Sequence, residues 1–140
     1  MSQVTGKVAQ IIGPVVDVEF NAENAVLPQI YDSLEITKTD GSKLVLEVQS
    51  HIGENTVRTI SMDSTDGLQR GADVSGTGSP IKMPIGDNVY GRLFNVIGDA
   101  IDGLGELPKS GDDGMSIHRQ APKFEDLSTS TEVLFTGIKV

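Results

Sequence analysis

The chain has 140 residues, 37% apolar and 4% aromatic, with no cysteine and 11 basic against 20 acidic side chains, for a formal charge of −9. That charge repels phosphate backbones and anionic lipid, and the lack of thiols excludes disulfides, thiolate nucleophiles and cysteine-based zinc sites. No apolar run approaches the ~20 residues of a membrane-spanning helix, so nucleic acid and direct membrane contact are both disfavoured.

The N-terminus, Met1-Ser2-Gln3-Val4, enters a strand pattern at once, without the basic and apolar regions of a signal peptide, so a cytosol-facing protein is expected. From Val4 to Phe20 β-branched residues dominate, and Val16, Val18 and Phe20 alternate with Asp17 and Glu19. Gly13-Pro14 interrupts this run; proline cannot donate to a ladder, so one long strand bending at a bulge or edge is expected there. Leu34 and Ile36 alternate with Glu35 and Thr37, and Thr39-Asp40-Gly41-Ser42 turns the chain into a hairpin whose return carries Leu44, Leu46 and Val48 on one face. Ile52-Gly53-Glu54-Asn55 leads into Thr56 to Met62, Thr65-Asp66-Gly67 forms another turn, and Arg70-Gly71-Ala72-Asp73 leads to a short last strand near Val74.

About six short strands joined by regularly spaced turns predict a mainly β fold, a small closed six-stranded β-barrel over residues 1–80, because closure removes exposed edges. So small a barrel buries only ~60% of its unfolded surface and gains from neighbours against its sides.

Beyond Ser79-Pro80 the pattern changes to a truncated α/β segment. Asp87 is placed to cap one short helix carrying Val89, Leu93, Val96 and Ile97 as an apolar stripe, with Gly98 ending it. Residues 99–126 read as loop, and Thr136-Gly137-Ile138-Lys139-Val140 as the start of a further element. Residues 81–140 are therefore expected to be the incomplete opening of a second domain, mobile or prone to stick to another copy because nothing covers its stripe.

A phosphate-binding loop needs Gly-x-x-x-x-Gly-Lys-Ser/Thr, so that backbone N–H groups and a lysine converge on the phosphates. That run does not occur; Gly76-Thr77-Gly78-Ser79-Pro80 and Gly103-Leu104-Gly105-Glu106 read as plain turns. His51, at a strand end, and His118, in a loop beside Arg119, have no carboxylate cluster at helical spacing and read as solvated or hydrogen-bonded. Asp63 and Asp66, like Asp99 and Asp102, lack calcium-loop spacing and read as turn or cap groups, and Asp112-Asp113 as a loop tip. Arg58, Arg70, Arg92 and Arg119 form no basic stripe and read as ion-pair or interface groups. Catalytic, cofactor-binding and metal-binding residues are accordingly all expected to be absent.

The stretch His51-Ile52-Gly53-Glu54-Asn55-Thr56-Val57-Arg58-Thr59-Ile60-Ser61-Met62-Asp63-Ser64-Thr65-Asp66-Gly67-Leu68-Gln69-Arg70-Gly71 closely resembles the N-terminal barrel of the F-type ATP synthase β-subunit family. Gly13-Pro14-Val15-Val16-Asp17-Val18 fits that family's first strand, while Ser116-Ile117-His118-Arg119-Gln120-Ala121-Pro122 and Thr136 to Val140 resemble its approach to the nucleotide-binding domain. Gly91-Arg92-Leu93-Phe94-Asn95-Val96-Ile97-Gly98 is similar to a motif spread across rotary and secretion ATPases. Asp99-Ala100 departs from the pattern, standing where the family commonly has proline, and Lys109 to Met115 matches nothing distinctive.

The resemblance implies a ring in which such barrels alternate with those of α subunits around the central stalk. It also implies a peripheral sector on the cytoplasmic face of a bacterial inner membrane, or its organellar equivalent. ATP, ADP and magnesium would belong to the parent protein and not to this portion, whose isolated form is expected to be soluble, inactive and open to self-association. A free-standing barrel that binds a small ligand or nucleic acid, and the equivalent region of a secretion or vacuolar-type ATPase, are the competing readings.

Overall fold

The computed structural model describes residues 4–20, 26–109, 114–133 and 135–137. Six antiparallel strands, β1 (Thr5–Ile12), β2 (Val15–Phe20), β3 (Asp32–Thr37), β4 (Lys43–His51), β5 (Thr56–Ser61) and β6 (Asp73–Pro80), close into a barrel in the order β1-β2-β5-β4-β3-β6. Alternation sets the inside: Val16, Val18, Phe20, Leu34, Ile36, Leu44, Leu46, Val48 and Val57 are buried against one another, joined by Val8 and Val74. Thr59 shares this interior and satisfies its hydroxyl by donating to Val16 O at 2.7 Å, so its burial leaves no polar atom unpaired.

Gly13-Pro14 does not bend one long strand. It is the two-residue loop of a β1–β2 hairpin, with Ile12 opposite Val15 and Gly13 at φ 59°. A glycine in first position with positive φ matches the right-handed twist of the flanking strands, which makes a hairpin the natural outcome. The irregularity expected at this point lies instead between Val8 and Gln10, where the β1–β2 register shifts.

The last strand is longer than a short element near Val74, and Gly76 to Pro80 is not a turn but its second half. The register against β3 shifts between Asp32 and Leu34, and side chains bridge the gap: Ser33 Oγ donates to Ser79 O at 2.9 Å, and Thr77 Oγ1 to Ser33 O at 2.9 Å. Glycine at 76 also admits the chain beside Val4, whose carbonyl accepts its N–H at 2.8 Å. Gly76 thus marks a close approach within a strand.

Past the barrel, β7 (Lys82–Pro84) pairs with β8 (Gly114–Ser116) as a two-stranded ribbon, and Ile81, between β6 and β7, is buried and accepts the Ile117 N–H at 3.0 Å. No α-helix spans 87–97. Asp87–Val89 makes a single 3-10 turn, after which Phe94 and Ala100 form one antiparallel bridge. Left-handed glycines at 86 (φ 97°) and 91 (φ 72°) break the helical path, and Asn95 Oδ1 accepts the N–H groups of Ile97 at 3.1 Å and Asp99 at 2.8 Å. Such side-chain bonds offer the backbone an alternative to a helix. Gly98 is required by contact: a Cβ there would lie 2.8 Å from Lys82 O and 2.9 Å from Met83 Sδ. The expected stripe is scattered accordingly, with Leu93 and Val96 exposed.

Candidate functional site

Of the polar groupings among the described residues, two lie where the downstream segment meets or folds beside the barrel. At the first, His118, just past β8, reaches back to β4. Its Nε2–H donates to Glu47 Oε2 at 2.7 Å, and its ring stacks on Tyr31 with centroids 4.2 Å apart and 21° between planes. Glu47 is 7% exposed, and Gln49 Nε2 donates to its other oxygen at 2.7 Å, so both carboxylate oxygens are occupied. Tyr31 holds a left-handed φ of 76°, the only non-glycine among the described residues to do so, and its N–H donates to Val48 O at 2.8 Å.

The second is the loop 92–105. Arg92 forks onto Asp102, Nη2 to Oδ1 at 3.0 Å with Nε on Oδ2, and also donates to Gly105 O. The Arg92 bonds, then the N–H of Leu104, hold the Asp102 carboxyl far below the usual carboxylate range, while the same pairing raises the guanidinium. Lys109 pairs with Asp99 alongside. An open groove of about 860 Å³ separates this loop from β3 and β4. Its lysines and acids are largely matched to one another, Lys43 to Glu35 and Lys109 to Asp99, so no single charge converges on a ligand.

His51 is hydrogen-bonded as read from the sequence, its Nε2 donating to Pro28 O at 2.8 Å. Asp63 accepts the N–H of Ser64 at 2.6 Å, and Asp66 lies in the turn closed by Leu68 N to Thr65 O at 3.0 Å. The Gly103–Gly105 stretch is a bend with both glycines at positive φ. Asp99 and Asp102, read as turn groups, are ion-paired as well. Arg58 forks onto Asp17 at 2.9 and 3.0 Å, Arg70 donates to Ala9 O at 2.7 Å, and Arg119 touches Met115. Asp112-Asp113 and Ile138 to Val140 lie outside the described residues. The His118–Glu47–Tyr31 clasp escaped the sequence reading because 71 residues separate the histidine from the glutamate, and no local pattern reports so distant a partner.

Among the described residues no group of three or more His, Asp or Glu side chains is placed to hold a metal ion, and no helix is long and apolar enough to cross a membrane. Residues 8–78 match the family described as ATP synthase alpha/beta family, beta-barrel domain. The matched stretch opens within β1 and runs into β6, so it takes in part or all of each of the six barrel strands. The chain belongs to the ATP synthase alpha/beta family, and its barrel is that family's beta-barrel domain.

Proposed function

We propose that this chain is the N-terminal part of the catalytic β subunit of a proton-translocating F-type ATP synthase. In this reading residues 1–80 form a collar module that alternates with α-subunit barrels around the central stalk, and residues 81–140 lead into the nucleotide-binding domain. The observation that carries it is the coincidence of a closed barrel, a family match over 8–78 and the β-like run His51 to Gly71 inside that match. A barrel of this size gains stability from neighbours on its flanks, which fits a ring. The 140 residues contain no Gly-x-x-x-x-Gly-Lys-Ser/Thr run, so grip on the triphosphate and magnesium falls to the rest of the parent protein, and no step of catalysis is assigned here.

Two measurements test the reading. The coding sequence past Val140 is expected to supply Gly-x-x-x-x-Gly-Lys-Thr within about thirty residues at a strand-to-helix junction; a parent lacking it refutes the assignment to a catalytic subunit. Calorimetry of the 140-residue chain with magnesium and ATP is expected to show no heat of binding, and micromolar affinity would contradict the division of labour.

A further inference from the structure

Four aspartates precede a glycine, at 40, 66, 102 and 113, a sequence in which the glycine amide can attack the aspartate side chain without interference from a Cβ. In that reaction the glycine nitrogen, having lost its proton to solvent, bonds to the aspartate Cγ. The Cγ–O bond breaks, and the oxygen leaves as water with a proton from solvent. Water then opens the resulting five-membered imide at either carbonyl, and opening at the main-chain carbonyl leaves isoaspartate, with one extra methylene in the backbone.

The structure restrains two of these four sites. Asp40 Oδ1 accepts Ser42 N–H at 2.8 Å and Ser42 O–H at 2.6 Å, and the attacking Gly41 N–H is itself donated to Lys38 O at 2.9 Å. Asp102 is gripped by the Arg92 fork and by the N–H groups of Leu93 and Leu104. Asp113 lies outside the described residues and is not ranked. Asp66 differs from both restrained residues. Its carboxylate is exposed and has no hydrogen-bond or ion-pair partner among the described residues, and the Gly67 N–H is likewise uncommitted. The space around Gly67, where a Cβ would stand, is open.

We propose that Asp66-Gly67 is a spontaneous isoaspartate site of this protein, reacting ahead of Asp40-Gly41 and Asp102-Gly103. Ionisation reinforces the ranking. A carboxylate must be protonated before its oxygen leaves as water, and the Ser42 bonds at Asp40 and the Arg92 bonds at Asp102 hold both carboxyls below their ordinary range. The lesion falls at a sensitive point, because the turn at 65–68 leads directly to Gly71 and Ala72. These exchange bonds with Val8, N to O at 2.7 and 3.0 Å, before β6 enters its short pairing with β1 at Lys7, Gly6 and Thr5. An extra methylene upstream loosens the seam that closes the barrel.

The full 140-residue chain is aged in warm neutral buffer and mapped by peptide mass spectrometry with isoaspartyl-methyltransferase labelling. Isoaspartate is expected at 66 about tenfold faster than at 40 or 102, the ratio that ~1.4 kcal/mol of added barrier produces. The same ageing in denaturant is expected to bring the three rates together, since the protecting bonds are then gone. Asp66→Glu, which cannot close the five-membered ring, is expected to abolish labelling on that peptide while leaving the circular dichroism unchanged. Equal or faster conversion at 40 or 102 in the folded chain overturns the proposal. A ranking that persists unchanged in denaturant does so too, because sequence and not structure would then set it.

Discussion

Gly6 offers the sharpest test of how the barrel is packed. It faces Phe20 across β1–β2 and Val74 across β1–β6, and a Cβ built on it would stand 2.8 Å from Glu19 O and 2.8 and 2.9 Å from Phe20 Cδ1 and Cε1. Carbon atoms attract best at roughly 3.5–4.0 Å, so the ring must retreat by about 0.7 Å into a core at crystal-like density. Phe20 is fully buried among Val and Leu side chains and has nowhere open to go. Overpacking of this kind costs ~1–3 kcal/mol, and the entropy that alanine removes from the unfolded chain returns ~0.4–1 kcal/mol, so with values near the middle of both ranges Gly6→Ala should destabilise by about 1–2 kcal/mol. For a domain of this size that lowers Tm by roughly 4–16 °C. Urea and thermal denaturation followed by circular dichroism measure it. The ring is identified as the obstacle by a double-mutant cycle: in a Phe20→Leu background the cost of Gly6→Ala should fall by ~0.5 kcal/mol or more. A Gly6→Ala variant as stable as the parent would refute the packing argument, and an unchanged cost beside Leu at 20 would assign the clash to the Glu19 carbonyl alone.

The clasp and the Arg92 loop yield two further expectations. His118→Ala removes one hydrogen bond to a nearly buried carboxylate and the stack on Tyr31, so amide exchange over 114–118 should quicken about tenfold, as loss of ~1.4 kcal/mol implies, while the barrel interior stays protected. Unchanged exchange there would mean that the β7–β8 ribbon alone holds the segment. For Asp102 the folded carboxyl titrates below its unfolded value of ~3.9, so its contribution is complete above that value and lost only as pH falls below it. Amide exchange in 92–105 should accelerate more than that of the barrel as pH is lowered through this window, after correction for intrinsic rates. Asp102→Asn should remove the dependence, and a loop that loosens equally in that variant would place the titration elsewhere.

Most of the barrel was legible because β2 to β5 each carry their own inward face. Val16, Val18 and Phe20 alternate with Asp17 and Glu19, and Leu44, Leu46 and Val48 recur at every second position, whatever their partners, and a shift of one residue would turn every one of them outward. Pairing itself was not legible. A β-branched run broken by Gly13-Pro14 has the same periodicity whether it bends or folds back, and the two are distinguished by the antiparallel register, from Ile12 opposite Val15 to Gly6 opposite Phe20. Glycine at 76 and 78 misled for a related reason, since proximity of Val4 and the offset at Ser33 are properties of neighbouring strands.

Downstream of the barrel the balance of forces changes, and with it the value of hydrophobic spacing. Val89, Leu93, Val96 and Ile97 recur at helical intervals, yet a stripe specifies a helix only when burial rewards it, and Leu93 and Val96 remain exposed. With that reward missing, short polar side chains decide the path: Asn95 gathers two amides, Asp102 gathers two more together with Arg92, and glycines at 86, 91 and 98 supply the reversals. Where burial dominates, alternation determines structure. Where it does not, Asx-type bonds and ion pairs do, and His118 then carries the loosely packed segment back to the barrel through Glu47.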